Sequence, residues 1–291
     1  VENEKNKSVR RSVRTVGIVG GGTTGSQYVQ ICAQAGYRVV LVEVAEEALR
    51  LGLELIDRRL SQGVANGQIA ENERRDVLNR ICGSTKFQDF ASCDFIIEAV
   101  PEKMDLKKQV FVQLDSICDP DVILATNTSV LSIIDIAKAT KRADLVIGVH
   151  GAPLVFPGLE VIKSLLTSDE TVAVAMDFVK SLGRDGFLVK DAPGFLMNRL
   201  LTPLFMDMVR MVETGYLTAP EIDYAFTKGG GWPVGPFHML DEAGLDTMLL
   251  ATDALHEDLK DQRFVAPVLL RKMVAAGWLG VKTKKGFYEY P

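Results

Sequence analysis

The sequence predicts an α/β fold: a doubly wound sheet carrying an inserted helical hairpin, followed by a smaller all-α domain. Three observations predict it. From Thr15 onward short β-branched runs alternate with helical stretches, residues 46–80 interrupt that rhythm with two charged helical runs, and after Lys190 the strand patterns stop. In order, TVGIVG (15–20) reads as a strand. Gly25 to Ala35 reads as a helix, with Tyr28, Ile31, Cys32 and Ala35 on one face and Gly36 placed to end it. RVVLVEV (38–44) is almost continuously apolar, which suits a parallel strand covered on both faces. Leu49, Leu53, Ile56 and Leu60 then follow helical spacing, a second helix runs through Arg74 to Ile81, and Asn66-Gly67 marks the turn between them. DFIIEAV (94–100), VILAT (122–126), LVIGVH (145–150) and GFLVK (186–190) supply further strands. Beyond them, Phe195 to Glu213 is a long apolar-periodic helix, and Thr218-Ala-Pro-Glu221 is a capping box with proline in the first turn. Further helices follow over 246–259 and 265–276. The expected organisation is a leader at 1–14, a sheet domain at 15–190 and a helical domain at 191–291.

Composition excludes several classes. A hydrophobic fraction of 47% with 24% charged residues is that of an ordinary globular protein. The net charge of −5 offers no basic face for nucleic acid or an anionic membrane surface. No apolar run reaches the roughly 20 residues that span a bilayer. The start, VENEKNKSVRRSVR, has no apolar core and reads as a disordered leader, not a signal peptide. Cys32, Cys82, Cys93 and Cys118 are dispersed and form no CxxC pair, so they read as reduced core thiols of a cytoplasmic enzyme, without zinc-ligand spacing.

Gly20, Gly22 and Gly25 form GxGxxG between a strand and a helix, the Rossmann-type context that gives the motif meaning. The first glycine permits the tight turn, the second lets backbone approach a pyrophosphate, and the third lets helix and strand pack closely. The helix start offers free N–H groups to the phosphates. Glu43 stands 23 residues after Gly20, at the end of the second strand. A carboxylate there accepts ribose hydroxyl hydrogen bonds and repels a 2′-phosphate, which selects NAD over NADP.

Three histidines are available for proton transfer near neutral pH: His150, His238 and His256. His256 lies in the charged run ALHEDL and reads as a surface residue, and His238 in GPFHML reads as a packing residue. His150 ends a strand on the side of the sheet where such folds bind ligands, which makes it the candidate base.

The chain resembles the L-3-hydroxyacyl-CoA dehydrogenase family, including the bacterial 3-hydroxybutyryl-CoA dehydrogenases, over nearly all of Val16 to Tyr290. The resemblance rests on IVGGGTTG, IIEAVPEKMDLKKQVF, ATNTSVLSI, IGVH, KDAPGFLMNRLL, GWPVGPFHMLDEAGLD and LGVKTKKGFYEY. It implies an NAD-dependent oxidation of the 3-hydroxyl of an acyl thioester. His150 would be the base, Glu160 its orienting carboxylate, and Ser129 and Asn198 hydrogen-bond donors to substrate oxygens. Cofactor contacts would come from Gly20, Gly22, Thr23, Thr24, Gly25, Glu43, Ala99, Glu102, Lys107 and Asn127. It further implies a homodimer through the helical domain, to which the apolar LLTPLFMDMVRMV adds support. Bland roles stand beside these: Glu160 as an exposed strand carboxylate, Ser129 as a helix N-cap before 131–138, Lys107 as a solvated helix residue. Asn198 inside a helix is unfavourable by propensity, which favours a function for it.

Two segments depart from the family pattern. HGAPLVFPGLE lacks the aromatic pair that usually follows the histidine and is two residues shorter, so Glu160 falls ten positions after His150. VANGQIAENE, at the hairpin turn, carries Ala65, Asn66 and Gln68 where family members carry lysines that dock CoA phosphates. The substrate is therefore an acyl thioester of CoA or, alternatively, of acyl carrier protein. Two other readings are a free hydroxy acid, since lens-crystallin-like relatives act on sugar acids, and a silent NAD-binding scaffold.

Overall fold

The computed structural model describes residues 12–290, so most of the leader expected at 1–14 lies outside the described residues. The chain divides after Ala192 into two compact units.

The first unit is built on one sheet of eight strands: β1 (Thr15–Val19), β2 (Arg38–Val42), β3 (Ile81–Ser84), β4 (Phe95–Glu98), β5 (Ile123–Thr126), β6 (Val146–His150), β7 (Gly158–Lys163) and β8 (Asp185–Lys190). Their spatial order is β3-β2-β1-β4-β5-β6-β7-β8. The chain moves outward from β1 through β2 to β3 and then crosses to β4, which creates a topological switch between β1 and β4. All neighbours run parallel except β6 and β7. Among the described residues six α-helices complete the unit: α1 (Thr23–Gln34), α2 (Glu46–Ala65), α3 (Glu71–Asn79), α4 (Met104–Ile117), α5 (Ile133–Ala137) and α6 (Asp169–Ser181). The α2–α3 hairpin turns at Gly67, whose φ of +70° a side chain would rarely adopt.

β3 escapes the sequence reading, and β7 enters it only as the strand that would carry Glu160. β3 is short and half-solvated, so ICGS carries no apolar run to announce it. β7 follows β6 after only residues 151–157, a connection short enough for an antiparallel partner but not for the crossover a parallel one needs. The expected strand at 38–44 stops at Val42, which leaves Glu43 just beyond the ladder. The core beneath the sheet joins Val16, Ile18, Leu41, Phe95 and Ile97 to Tyr28, Val29 and Ile31 of α1, so the helix that follows the glycine turn is anchored by its apolar face.

The second unit contains α7 (Met197–Glu213), α8 (Ala219–Tyr224), α9 (Pro236–Ala243), α10 (Leu245–Leu259) and α11 (Val268–Ala275), around a core including Phe205, Val209, Ile222, Phe237 and Leu270. The capping box at Thr218 is present, with Glu221 N–H donating to Thr218 Oγ1 and Thr218 N–H to Glu221 Oε2. Two buried carboxylates tie down the C-terminal GFYEY. Asp241, wholly buried, accepts from the Phe287 and Tyr288 amides and the Tyr290 hydroxyl, and Asp223 accepts from the Phe237 amide and the Tyr288 hydroxyl. Those bonds also hold the two tyrosine hydroxyls in their protonated form, since burial and the adjacent carboxylates both raise their pKa.

Candidate active site

The carboxyl ends of β1, β2, β4, β5 and β6 all open on one edge of the sheet, and the expected site residues of the first unit follow them. At the β1 end, Gly20 adopts φ +93°. A Cβ on Gly25 would overlap the Gly20 carbonyl oxygen, whereas a Cβ on Gly22 would meet nothing within 4 Å. The third glycine is thus required by packing, and the second leaves open the space a diphosphate needs. Thr23 and Thr24 form the first turn of α1, whose N-cap is Gly22 with no side-chain cap, so its leading N–H groups remain available to an anion. Ala99 packs beneath this turn, its carbonyl oxygen 3.0 Å from the Cβ position of Gly20.

At the β2 end, Glu43 Oε1 accepts from the Gly21 amide at 2.5 Å and Oε2 from its neighbour Val44 at 3.1 Å. Each carboxylate oxygen keeps further acceptor capacity, so the side chain is aimed at the glycine turn with room for two hydroxyl donors. These residues fit a dinucleotide. Glu43→Ala should raise the NAD KM by about 10- to 100-fold, from the ~1.5–3 kcal/mol of a hydrogen bond to a charged group, and should narrow the preference over NADP. The ratio of kcat/KM for the two cofactors measures it.

At the β4 end stands a cluster centred on a residue the sequence reading missed. Glu98 is fully buried; its Oε1 accepts from Lys107 Nζ at 2.7 Å and the Val100 amide at 2.7 Å, and its Oε2 from Thr126 Oγ1 at 2.7 Å. Lys107 is 1% exposed, and its ammonium also reaches Val100 O at 3.1 Å and Glu102 Oε2 at 3.4 Å. The solvated role considered for Lys107 is therefore wrong: the ammonium is enclosed by three oxygen partners. Glu102 Oε1 in turn accepts from the Ser129 amide at 2.9 Å, the Val130 amide at 3.1 Å and the Thr128 hydroxyl. The signal for Glu98 was an acidic residue ending a buried strand, FIIE, with a lysine nine residues on.

Ser129 follows β5 and is not a helix cap. Ser132 caps α5, accepting from the Asp135 amide, while Asp191 accepts from the Ile133 and Ile134 amides. Asn127, at the β5 end, donates to Val149 O at 2.6 Å and to the Tyr28 hydroxyl at 3.1 Å.

At the β6 end, His150 Nδ1 lies 2.6 Å from Glu160 Oε2. The two residues are direct partners in the antiparallel β6–β7 ladder, so their side chains leave the same face of the sheet. Glu160 is 2% and His150 13% exposed, which removes the exposed-carboxylate reading of Glu160. The shortened segment is absorbed in the 151–157 loop, where Gly151 takes φ +136°. A carboxylate at Nδ1 sets the Nδ1–H tautomer, which makes Nε2 the acceptor nitrogen of the ring.

The remaining candidates belong to the second unit. Asn198 lies in the first turn of α7, in the second unit, not in a helix interior, so the propensity argument for it lapses. His238 is half exposed and stacks on Tyr288 at 4.0 Å, and His256 is half-buried with Nδ1 3.0 Å from Asp261 O. Cys32, Cys93 and Cys118 are buried free thiols, and Cys82 is exposed, contrary to its core assignment. Burial pushes Cys93 up to about 12 and Cys118 up to about 11, which keeps both as unreactive thiols. Among the described residues no group of three His, Cys, Asp or Glu is placed to hold a metal, and no helix is long and apolar enough to cross a membrane.

Comparison with known families decides the lineage. The NAD-binding domain of 3-hydroxyacyl-CoA dehydrogenase matches residues 15–192, and the C-terminal domain of the same enzyme matches residues 194–290. The chain belongs to the 3-hydroxyacyl-CoA dehydrogenase family. It is 39% identical over 276 residues to a 3-hydroxybutyryl-CoA dehydrogenase of Clostridioides difficile, covering 94% of this chain and 98% of that one. It is 37% identical over 288 residues to the human mitochondrial hydroxyacyl-coenzyme A dehydrogenase, covering 96% and 91%. The crystal structure of FadB2 from M. tuberculosis superposes with a TM-score of 0.92 at 36% identity, covering 97% of this chain and all of that one.

Proposed function

We propose that this member of the family oxidises the 3-hydroxyl of a short acyl-CoA thioester with NAD, with 3-hydroxybutyryl-CoA as the reference substrate. The observation that carries the proposal is the His150–Glu160 pair at the carboxyl edge of the sheet, one strand from Ser129. His150 Nε2 takes the hydroxyl proton as the carbinol C–H bond breaks and the carbonyl forms. Glu160 holds the ring tautomer and stabilises the imidazolium. Ser129, its amide fixed by Glu102, orients the substrate oxygen, and the family resemblance assigns a second such hydrogen bond to Asn198. Bound NAD supplies the acceptor for the hydride. Gly20, Gly22, Thr23, Thr24 and Gly25 bind its diphosphate, Glu43 its ribose, and Ala99, Glu102 and Asn127 line the path between them.

The hairpin favours a second reading of the carrier. Its turn bears Ala65, Asn66 and Gln68, and Arg74, at the start of α3, is committed to Asp57 and Glu71. A turn without cations holds CoA phosphates weakly, so a carrier-protein thioester or a free hydroxy acid is the alternative. Steady-state oxidation of hydroxybutyryl-CoA, the carrier-bound hydroxyacyl group and free hydroxy acids separates them: the proposal expects the highest kcat/KM on the CoA ester. A preference for either alternative transfers the assignment, and no turnover of any of them leaves a silent NAD-binding scaffold. Leu200, Leu204 and Met211 stand exposed along α7, and a homodimer through the helical unit would cover them, which sedimentation measures. A cytoplasmic location is in keeping with four free cysteines.

A further inference from the structure

The main chain on both sides of His150 is gripped from elsewhere in the fold. Asn127 Nδ2 donates to Val149 O at 2.6 Å and to Gly151 O at 3.4 Å, so one amide spans the two carbonyls that flank the histidine. The Tyr28 hydroxyl donates to the same Val149 O at 3.2 Å while it accepts from Asn127 Nδ2 at 3.1 Å. Tyr28 is wholly buried in α1, the helix that begins at the glycine turn, and burial raises its pKa far above the working range, so its hydroxyl is a permanent donor. Two more grips hold the loop that follows. Gln27 of α1 accepts from the Leu154 amide at 3.2 Å, and Arg184 Nε donates to Pro153 O at 2.6 Å.

None of these groups is needed for the ladder itself. A strand end released into a glycine with φ +136° has few restraints of its own, and β6 is followed by a loop whose tip residues Val155 and Phe156 are exposed. At Val149 and His150 the strand is paired with β7 alone, since its pairing with β5 ends at Gly148, and a base that must meet a carbinol within a few tenths of an ångström needs restraint on the other side as well. Helix α1 supplies the missing restraint, and the same helix presents its first turn to the cofactor.

We infer that Tyr28 and Asn127 are positioning residues for the base: they clamp the main chain around His150 to the nucleotide-binding helix, so that imidazole and cofactor share one rigid frame. This rests on the proposed function of His150, and the test keeps the two apart. Tyr28→Phe removes one hydroxyl without a change of volume, and Asn127→Ala removes the amide that bridges both carbonyls.

In the full-length protein, kcat on the best substrate should fall about tenfold in Tyr28→Phe and about 100-fold in Asn127→Ala, in the range lost when a catalytic group is slightly misplaced. In Tyr28→Phe the substrate KM and NADH affinity should remain as in the parent, and the limb of the pH–kcat/KM profile that reports the base should move. The His150 ring resonances, followed by NMR through a pH titration, should move in both variants even if no substrate is turned over. That readout separates failure of the clamp from failure of the dehydrogenase reading. A Tyr28→Phe protein with unaltered kcat, pH profile and His150 titration overturns the inference, as does one that loses only NADH affinity or only thermal stability.

Discussion

Replacing His150 with alanine is expected to lower kcat by about 10²–10⁴-fold, the range that a positioned base contributes, while NADH binding is unchanged. The reason is geometric. Nδ1 faces Glu160 at 2.6 Å, so proton transfer falls to Nε2, and the other described histidines have partners of their own. Glu160→Gln should follow closely behind, because an amide of the same shape can satisfy either ring tautomer and carries no charge to stabilise the imidazolium. Stopped-flow hydride transfer together with NADH fluorescence titration reads both effects. Full turnover in His150→Ala would remove the imidazole from the chemistry. Loss of NADH affinity in parallel would mean that the substitution had disturbed the nucleotide site instead.

The second large effect is on stability. Glu98 and Lys107 form an ion pair with side chains 0% and 1% exposed, so removing either charge leaves the other buried without its counter-charge. Lys107→Met strands a buried carboxylate whose remaining donors are the Val100 amide and Thr126 hydroxyl. The expected cost is about 3–5 kcal/mol, as for other buried pairs broken on one side. The double variant Glu98→Leu/Lys107→Met removes both charges and should recover most of that loss. Urea unfolding of the two single variants and the double gives the coupling directly; additive losses would show that the pair contributes nothing as a pair. Activity is expected to suffer in Lys107→Met beyond the stability loss, since Lys107 also braces Glu102, whose other oxygen holds the Ser129 and Val130 amides.

Much of the architecture was legible in the chain because its signals are local. The glycine turn, the near-continuous apolar strands, the Asn66-Gly67 turn and the Thr218 capping box each express a backbone requirement within a few residues. What escaped has a physical explanation too. β3 is half-solvated on a sheet edge and so carries no apolar signature, and β7 is defined by its partner, not by its own periodicity. For Lys107 the sequence leaves a cofactor contact and a solvated helix residue both open, because burial is a property of what packs around it. Glu98 drew no attention because a lone carboxylate at a strand end acquires meaning only from the ammonium that meets it.

Backbone geometry and residue chemistry are encoded residue by residue, so the Rossmann-type frame, the glycine–acid combination for NAD and the candidate base can all be read along the chain. Which side chains face one another depends on long-range packing. The register of an antiparallel ladder, not the count of residues in the loop, sets Glu160 opposite His150, and a side chain from the nucleotide-binding helix reaches across the sheet to hold the strand end in place. Contacts of that kind join positions far apart in the chain, and no periodicity or motif spacing carries them.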